Sequence, residues 1–320
     1  MPLEVQRTPA EWLARYGPAS RAPMRSALTI GCFDGIHLGH QHVLQRVATK
    51  ARESGLLPGV VTFDPHPLRV LRLEEAPLLI ATLEQRLAGF AELGIAAALV
   101  LKFDAELARI SAEEFLRGML VEQLGMAAIL VGPHFRFGHQ QRGNVEMLEA
   151  GAGRYDYAVE LLLPVQLGGG IVSSTAIRSA VAEGRVREAA RLLGRPFSLT
   201  GAIRAGAGRG RTILFPTLNL SPEQELLPKT GVYVTETQIG KRVYGSATNV
   251  GVRPTVDGGS LLVESHLFNF SESLVEGRIE VRFLERLRGE RKFATVDELR
   301  LQIARDLEKA KEFLKAPEPR

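Results

Sequence analysis

The sequence predicts an α/β fold in two parts: a doubly wound, Rossmann-like parallel sheet, then a small antiparallel barrel or sandwich with a terminal helix. Three observations carry this. In the first half, continuous apolar runs alternate with segments of helical period. Runs of that kind are strands buried on both faces, as in a parallel sheet layered with helices. Residues 198–284 instead alternate apolar and polar side chains, broken by turns, which marks short antiparallel strands. Helical period then returns in the tail.

In the first part, "ALTIG" (from Ala27), "GVVTFDP" (from Gly59), "AAALVLKF" (from Ala96), "AAILVG" (from Ala127) and "VELLLPV" (from Val159) read as buried strands. Between them, "HQHVLQRVATKARESG", "ATLEQRLAGFAELGI" and "SAEEFLRGMLVEQLG" have helical period, and Ser111 with Glu114 has capping-box spacing. A further helical pattern runs through "TAIRSAVAEGRVREAARLLGRPF". "GVYVTETQIGKRVYGSATNVG" is a hairpin signal, and "TVDELRLQIARDLEKAKEFLK" is a closing helix with Thr295 as N-cap and Glu298 at the reciprocal position. The boundary is placed near residue 186, giving domains 1–186 and 187–320.

A chain of 320 residues favours two domains. Forty Lys and Arg against 36 Asp and Glu leave a net charge of only +4, which suits small anions better than a nucleic-acid groove. The single cysteine, Cys32, excludes an intramolecular disulfide and fits a reducing compartment. The first residues carry charges of both signs without an apolar core, so no signal peptide is expected. No apolar run reaches the roughly 20 residues of a membrane helix. A cytoplasmic protein without nucleic-acid or membrane partners is expected; a weak homo-oligomer is compatible with the sequence.

The densest motif is "GCFDGIHLGH". A strand ends at Gly31 and a helix is expected to start near Gly39, so unpaired N–H groups and a positive dipole end face the turn. Gly35 and Gly39 would let the backbone bend and an anion approach; Phe33 and Asp34 lie inside the same turn. His37 and His40 can project to one side and donate to phosphoryl oxygens as charge builds on a leaving group. A zinc site would need a third ligand, and no neighbouring Cys/His pair supplies it. "VTFDPHP" (from Val61) ends a second strand at the same sheet edge. Phe63 there could stack on a flat ring, and Asp64 and His66 could make polar contacts, although a Pro-stiffened loop explains them equally. In "VGPHFRFGHQQRGN" (from Val131), Phe135 is a stacking candidate and Arg142 a phosphate contact, against the alternative of an exposed polar loop. "LGGGIVSSTAIR" places Ser173, Ser174 and Thr175 at a helix start with Arg178 one turn in. Capping accounts for one hydroxyl; three with an arginine suggest a phosphate clamp.

In the second part, "GRGRTILFPTLNL" joins a basic Gly-rich loop, with Gly210 and Arg211, to Thr217 and Asn219. Two hard oxygen ligands on one side of a strand suit Mg²⁺ bridging nucleotide phosphates, although a polar edge strand looks the same. "LLVESHLFNF" puts Glu264 and His266 on one strand face. Glu264 is either a general base or a solvated outward side chain.

These motifs, in this order from about Leu28 to the last helix, resemble the bifunctional riboflavin kinase/FAD synthetase family. "GCFDGIHLGH" is similar to its nucleotidylyltransferase signature and "SSTAIR" to its Ser-Ser-Thr-x-Ile-Arg loop. "FPTLNL", "ATNVGVRPTVDG" and "VESHLFNF" are similar to its kinase module. The resemblance implies a first domain that adenylylates FMN to FAD. There His37 and His40 would stabilise the ATP phosphates as the FMN phosphate attacks the α-phosphorus and expels pyrophosphate. Ser174, Thr175 and Arg178 would close on those phosphates, and Phe63 and Phe135 would stack on flavin. It implies a second domain, a Greek-key β-barrel with a trailing helix, that phosphorylates riboflavin to FMN. There Thr217 and Asn219 would hold Mg²⁺ and ATP, and Glu264 would take the proton from the ribityl 5′-hydroxyl.

The chain departs from the family pattern at Leu214 and Leu218, which replace Gly and Ala, at His134, where Asp is common, and at Gly289, where Asp is usual. Losing the glycine at 214 removes backbone freedom beside the nucleotide. These changes motivate one alternative, a monofunctional FMN adenylyltransferase with a flavin-binding, non-catalytic barrel. A second is a nucleotide- or flavin-binding regulator. Cys32 has no assigned role.

Overall fold

The computed structural model describes residues 2–204, 217–253, 260–271, 274 and 276–316. The chain divides into two compact units, Met1–Pro77 with Ala81–Val172, and Leu78–Ile80 with Ser173–Arg320.

The first unit is a six-stranded sheet in which every pairing is parallel. In chain order its elements are β1 (Glu4–Gln6), α1 (Pro9–Tyr16), β2 (Ser26–Ile30), α2 (Leu38–Ser54), β3 (Leu57–Asp64), α3 (Pro67–Leu71), α4 (Leu83–Glu92) and β4 (Ala97–Lys102). A helix over 112–123 (α5), β5 (Met126–Val131), α6 (Val145–Tyr155) and β6 (Ala158–Leu161) complete it. The strand order β1-β4-β3-β2-β5-β6 reverses direction between β2 and β5. In open α/β sheets the crevice at such a switch point, outside the carboxyl ends of the strands, is where ligands bind. "GCFDG" follows β2 and "GPHF" follows β5, so two of the sequence motifs flank that crevice.

Both faces of the sheet are covered, as continuous apolar strands require. Leu28, Ile30, Val61 and Leu99 join one core with Trp12, Leu120 and Met126. Ala27, Val60, Ala98 and Leu130 join another with Leu44, Val47 and Phe90. Two details differ from the sequence reading. β1, three residues with an exposed centre, was not expected, because it is too short and too polar to show an apolar run. The "VELLLPV" strand is the half-exposed edge strand β6 rather than a buried one. At α5, Ser111 caps the Glu114 N–H at 3.1 Å as expected. The reciprocal box is complete at Thr82 and Gln85, ahead of α4. A two-stranded hairpin, β7 (Gln166–Leu167) with β8 (Gly170–Ile171), precedes the second unit.

The second unit opens with α7 (Ser174–Ala182) and α8 (Val186–Leu193). Six antiparallel strands follow: β9 (Phe197–Arg204), β10 (Leu218–Pro222), β11 (Gly231–Ile239), β12 (Arg242–Arg253), β13 (Ser260–Leu267) and β14 (Arg278–Arg288). They close into a barrel ordered β10-β13-β12-β11-β14-β9. Three consecutive strands, β11 to β13, with β14 returning beside β11, form a Greek key. The expected hairpin is the β11–β12 pair, in register from Gly231↔Val250 to Ile239↔Arg242. Alternate residues point inward: Leu199, Tyr233, Val250, Val263, Val281 and Phe283 are all fully buried. Among them runs a chain of buried hydroxyls, Thr237–Ser246–Thr235–Thr248–Ser265, linked at 2.6–2.9 Å. A satisfied polar chain of this kind is sensitive to register.

The closing helix α9 (Val296–Lys315) packs Leu307 and Ala310 on the outward-facing Val234 and Ala247. Its Asp306, 4% exposed, accepts from Arg288 Nε at 2.9 Å and from Gln302 Nε2 at 2.9 Å. Removing one partner of a buried pair leaves an uncompensated charge, at a cost of about 3–5 kcal/mol. Asp306→Ala is therefore expected to inactivate the second unit on mild heating while activity of the first unit survives. Residual activities after graded heating check this.

Candidate active sites

In the first unit, the turn after β2 takes left-handed backbone at Phe33 (φ 50°), Gly35 (φ 85°) and Ile36 (φ 43°). Only at Gly35 is that conformation free of steric cost. The helix begins at Leu38 rather than Gly39, because His37 is its N-cap: its Nδ1 accepts the His40 N–H at 3.3 Å. With Nδ1 accepting, the neutral ring carries its proton on Nε2 as a donor. The His37 and His40 rings stack with centroids 3.6 Å apart and planes 17° from parallel. Gly39 has a reason that the sequence reading did not give. A Cβ there would lie 3.1 Å from His37 Cε1, so the bare backbone makes room for the histidine ring itself.

Two residues of the signature face inward. Phe33, 4% exposed, sets its ring edge against His40 at 5.2 Å and Phe90 at 5.6 Å. Asp34, 3% exposed, accepts the Ala81 N–H at 3.1 Å. Phe33 thus backs the histidine pair, and Asp34 ties the turn to the segment ahead of α4. Gly31 lies under the Phe33 ring, 3.3 Å from where a Cβ would sit. Phe63 and Phe135 are half-buried, each backed by another ring: Phe103 at 5.6 Å and Phe137 at 5.6 Å. Asp64 ends β3 with its side chain 45% exposed, and His66 caps α3. Arg142 and His134 are exposed. Among the described residues no three His, Cys, Asp or Glu side chains gather as a metal site.

Desolvation, and then the neighbouring His37 ring, hold the His40 imidazole well below the ordinary 6.5. Its Nδ1 is buried with no hydrogen-bond partner among the described residues. Folded His40 is thus neutral at pH values where the unfolded side chain is already protonated. The contribution to stability is full above about pH 6.5 and is lost as pH falls below it. The unfolding temperature of the first unit is expected to drop between about pH 7.5 and about pH 5.5. His40→Gln should flatten that slope, as thermal unfolding at each pH would show.

Ser173, Ser174, Thr175 and Arg178 group with the second unit. Ser173 is the N-cap of α7, accepting from Ala176 N at 3.3 Å, and Arg178 Nε donates to Leu78 O at 2.9 Å. Thr175 is exposed.

In the barrel, Asn219 on β10 lies opposite Glu264 on β13, and Glu264 lies opposite Asn249 on β12. Directly opposed residues of antiparallel strands bring their side chains together, so a carboxyl is flanked by two amides. Asn219 Oδ1 is buried with no hydrogen-bond partner among the described residues, an acceptor that a hard cation would satisfy. Thr217, half-buried, immediately precedes β10. Leu218, 8% exposed, fills the barrel interior, so its departure from alanine is a packing change. Leu214, Gly210 and Arg211 lie outside the described residues.

Two residues were missed in the sequence. Asn249 lies inside "ATNVGVRPTVDG", but nothing there sets it apart as facing Glu264. Arg86 carried a signal: it falls with Leu83, Leu87 and Phe90 on the apolar stripe of α4, where a charge is out of place. It is 4% exposed, and Nη1 donates to Cys32 O at 2.9 Å and Phe63 O at 3.2 Å.

A parallel α/β unit carrying a histidine pair at a helix N-terminus, joined to a Greek-key barrel carrying an amide-flanked carboxyl, defines a class of two-module transferases. An FAD synthetase model matches residues 19–176, and a riboflavin kinase model matches residues 193–314. The bifunctional riboflavin kinase/FMN adenylyltransferase of Haemophilus influenzae is 36% identical over 92% of this chain and 96% of that protein. That of Escherichia coli K12 is 35% identical over 94% and 96%. The chain belongs to the bifunctional riboflavin kinase/FMN adenylyltransferase family. A solved chain described as a macrolide-efflux protein from Streptococcus pneumoniae is 28% identical, with a TM-score of 0.83 over 97% of this chain and 99% of that one. Among the described residues of this chain, no helix is long and apolar enough to cross a membrane.

Proposed function

We propose that the two activities of this family reside in separate modules of the chain, FMN adenylyltransferase in residues 1–186 and riboflavin kinase in residues 187–320. The chain is a riboflavin kinase and FMN adenylyltransferase, making FMN and then FAD from riboflavin and ATP. The observation that carries the assignment of sites is the opposition of Asn219, Glu264 and Asn249 in one unit, with the stacked His37 and His40 in the other.

In the kinase module, Glu264 takes the proton of the ribityl 5′-hydroxyl as that oxygen attacks the γ-phosphorus of ATP, the bond to the β–γ bridging oxygen breaks and ADP departs. Thr217 and Asn219 would hold Mg²⁺, which neutralises charge on the nucleotide phosphates when bound; the buried Asn219 Oδ1 fits that role. Gly210 and Arg211 are assigned to the nucleotide phosphates. In the adenylyltransferase module, the FMN phosphate attacks the α-phosphorus of ATP. The His37 Nε2 proton and the His40 ring stabilise the departing pyrophosphate, aided by the N-terminus of α2. Ser174, Thr175 and Arg178 are assigned to phosphate binding, and Phe63 and Phe135 to the flavin ring. Both transfers depend chiefly on positioning and charge neutralisation. Cytoplasmic action is part of this reading.

Incubation with riboflavin, ATP and Mg²⁺, followed by chromatography of the flavins, tests it. FMN and then FAD are expected, and chelation of Mg²⁺ should stop phosphorylation. FAD from supplied FMN with no phosphorylation of riboflavin would reduce the barrel to a binding module.

A further inference from the structure

Among the described residues, Arg86 is the one Lys or Arg side chain that is buried. The Thr82–Gln85 capping box fixes the first turn of α4 and so sets where the arginine enters the fold. Its Nη1 lies 2.9 Å from Cys32 O, 3.2 Å from Phe63 O and 3.2 Å from Thr62 Oγ1. Thr62 Oγ1 in turn donates to Cys32 O at 3.3 Å. One guanidinium thus ties the turn after β2 to the end of β3, both at the carboxyl edge of the sheet. The residue after Cys32 is Phe33, where the left-handed turn begins, so the arginine anchors the strained segment that leads into His37.

The charge of Arg86 is not cancelled at contact distance. Its nearest carboxylate is that of Asp64, with Nη2 3.9 Å from an oxygen whose side chain is 45% exposed. The buried Asp34, one oxygen of which accepts from Ala81 N, attracts the guanidinium more strongly than Asp64 does, yet desolvation outweighs both. A neutral amide could bridge two carbonyls without the cost of burying a guanidinium. A buried cation whose carboxylate partners only partly offset its desolvation makes physical sense where it also acts on an anion across low-dielectric surroundings.

We infer that Arg86 is a positioning residue of the adenylyl-transfer site, locking the histidine turn to β3 and raising the affinity of that sheet edge for polyphosphate through its buried charge. This rests on the assignment of adenylyl transfer to His37 and His40.

The test uses the full-length chain with Arg86→Gln, Arg86→Lys and His40→Ala. Inorganic pyrophosphate binding is measured by calorimetry, and adenylylation of FMN and phosphorylation of riboflavin are followed by chromatography. Arg86→Gln is expected to weaken pyrophosphate binding and raise the KM for ATP in adenylylation by about tenfold. Riboflavin phosphorylation should stay within about twofold. Arg86→Lys, which keeps the charge and loses the fork, should bind pyrophosphate within about threefold of the parent. Pyrophosphate binding unchanged in Arg86→Gln overturns the inference, as does an equal loss of riboflavin phosphorylation. If Arg86→Gln does not fold, Arg86→Lys decides: a tenfold or greater loss of pyrophosphate affinity overturns the role of the charge. His40→Ala separates the two levels. If it adenylylates normally, the site assignment fails; if it is impaired while Arg86→Gln is not, only the role of Arg86 fails.

Discussion

Glu264→Ala will stop the chain from making FMN out of riboflavin while leaving it able to make FAD from supplied FMN. A positioned general base contributes about 10²–10⁴-fold to rate, and that loss is expected in riboflavin phosphorylation. The geometry supports so large an effect because Glu264 is held between Asn219 and Asn249 on the neighbouring strands. Glu264→Gln provides the control for shape: it keeps the side-chain volume, removes the base, and should be as inactive as the alanine variant. FMN adenylylation should persist, since the residues proposed for it lie in another module.

His40→Ala produces the opposite phenotype, with FMN accumulating and FAD formation falling about 10²–10³-fold, the usual cost of removing one donor to a developing anion. The stacked geometry makes the substitution more damaging than the loss of a single contact. His40 supports the His37 ring from 3.6 Å, and Phe33 packs edge-on against His40. Removing the imidazole therefore frees both the donor and its neighbour. Steady-state kinetics with FMN as substrate should show the loss mainly in kcat, since the interaction strengthens as the pyrophosphate departs.

Much of the fold was legible because its strands obey simple periodicities. Runs such as "AAALVLKF" can only be strands buried on both faces, and the alternation in "GVYVTETQ" separates the barrel interior at Tyr233, Thr235 and Thr237 from its outer surface. β1 was not legible, since three residues pairing with a central strand leave no pattern of their own. The histidine pair stood out for its spacing, yet the N-cap bond from His37 and the use of Gly39 as space for its ring are three-dimensional facts. Phe33 and Asp34 look like ligand contacts in the sequence, and their burial in the turn is visible only in three dimensions. The place of Asn249 beside Glu264 became visible only through register, because strand pairing joins residues that are distant along the chain. Arg86 was readable in principle, as a charge on an apolar helical stripe. Its partners, the carbonyls of Cys32 and Phe63, were not, since backbone acceptors leave no trace in residue identity.

The central claim is that one chain holds two independent catalytic sites, and the most direct measurement compares flavin products of the two single variants. With riboflavin, ATP and Mg²⁺, His40→Ala should stop at FMN and Glu264→Ala should leave riboflavin untouched. With FMN and ATP, Glu264→Ala should yield FAD and His40→Ala should not. Loss of both activities in each variant, with both still folded, would contradict the account.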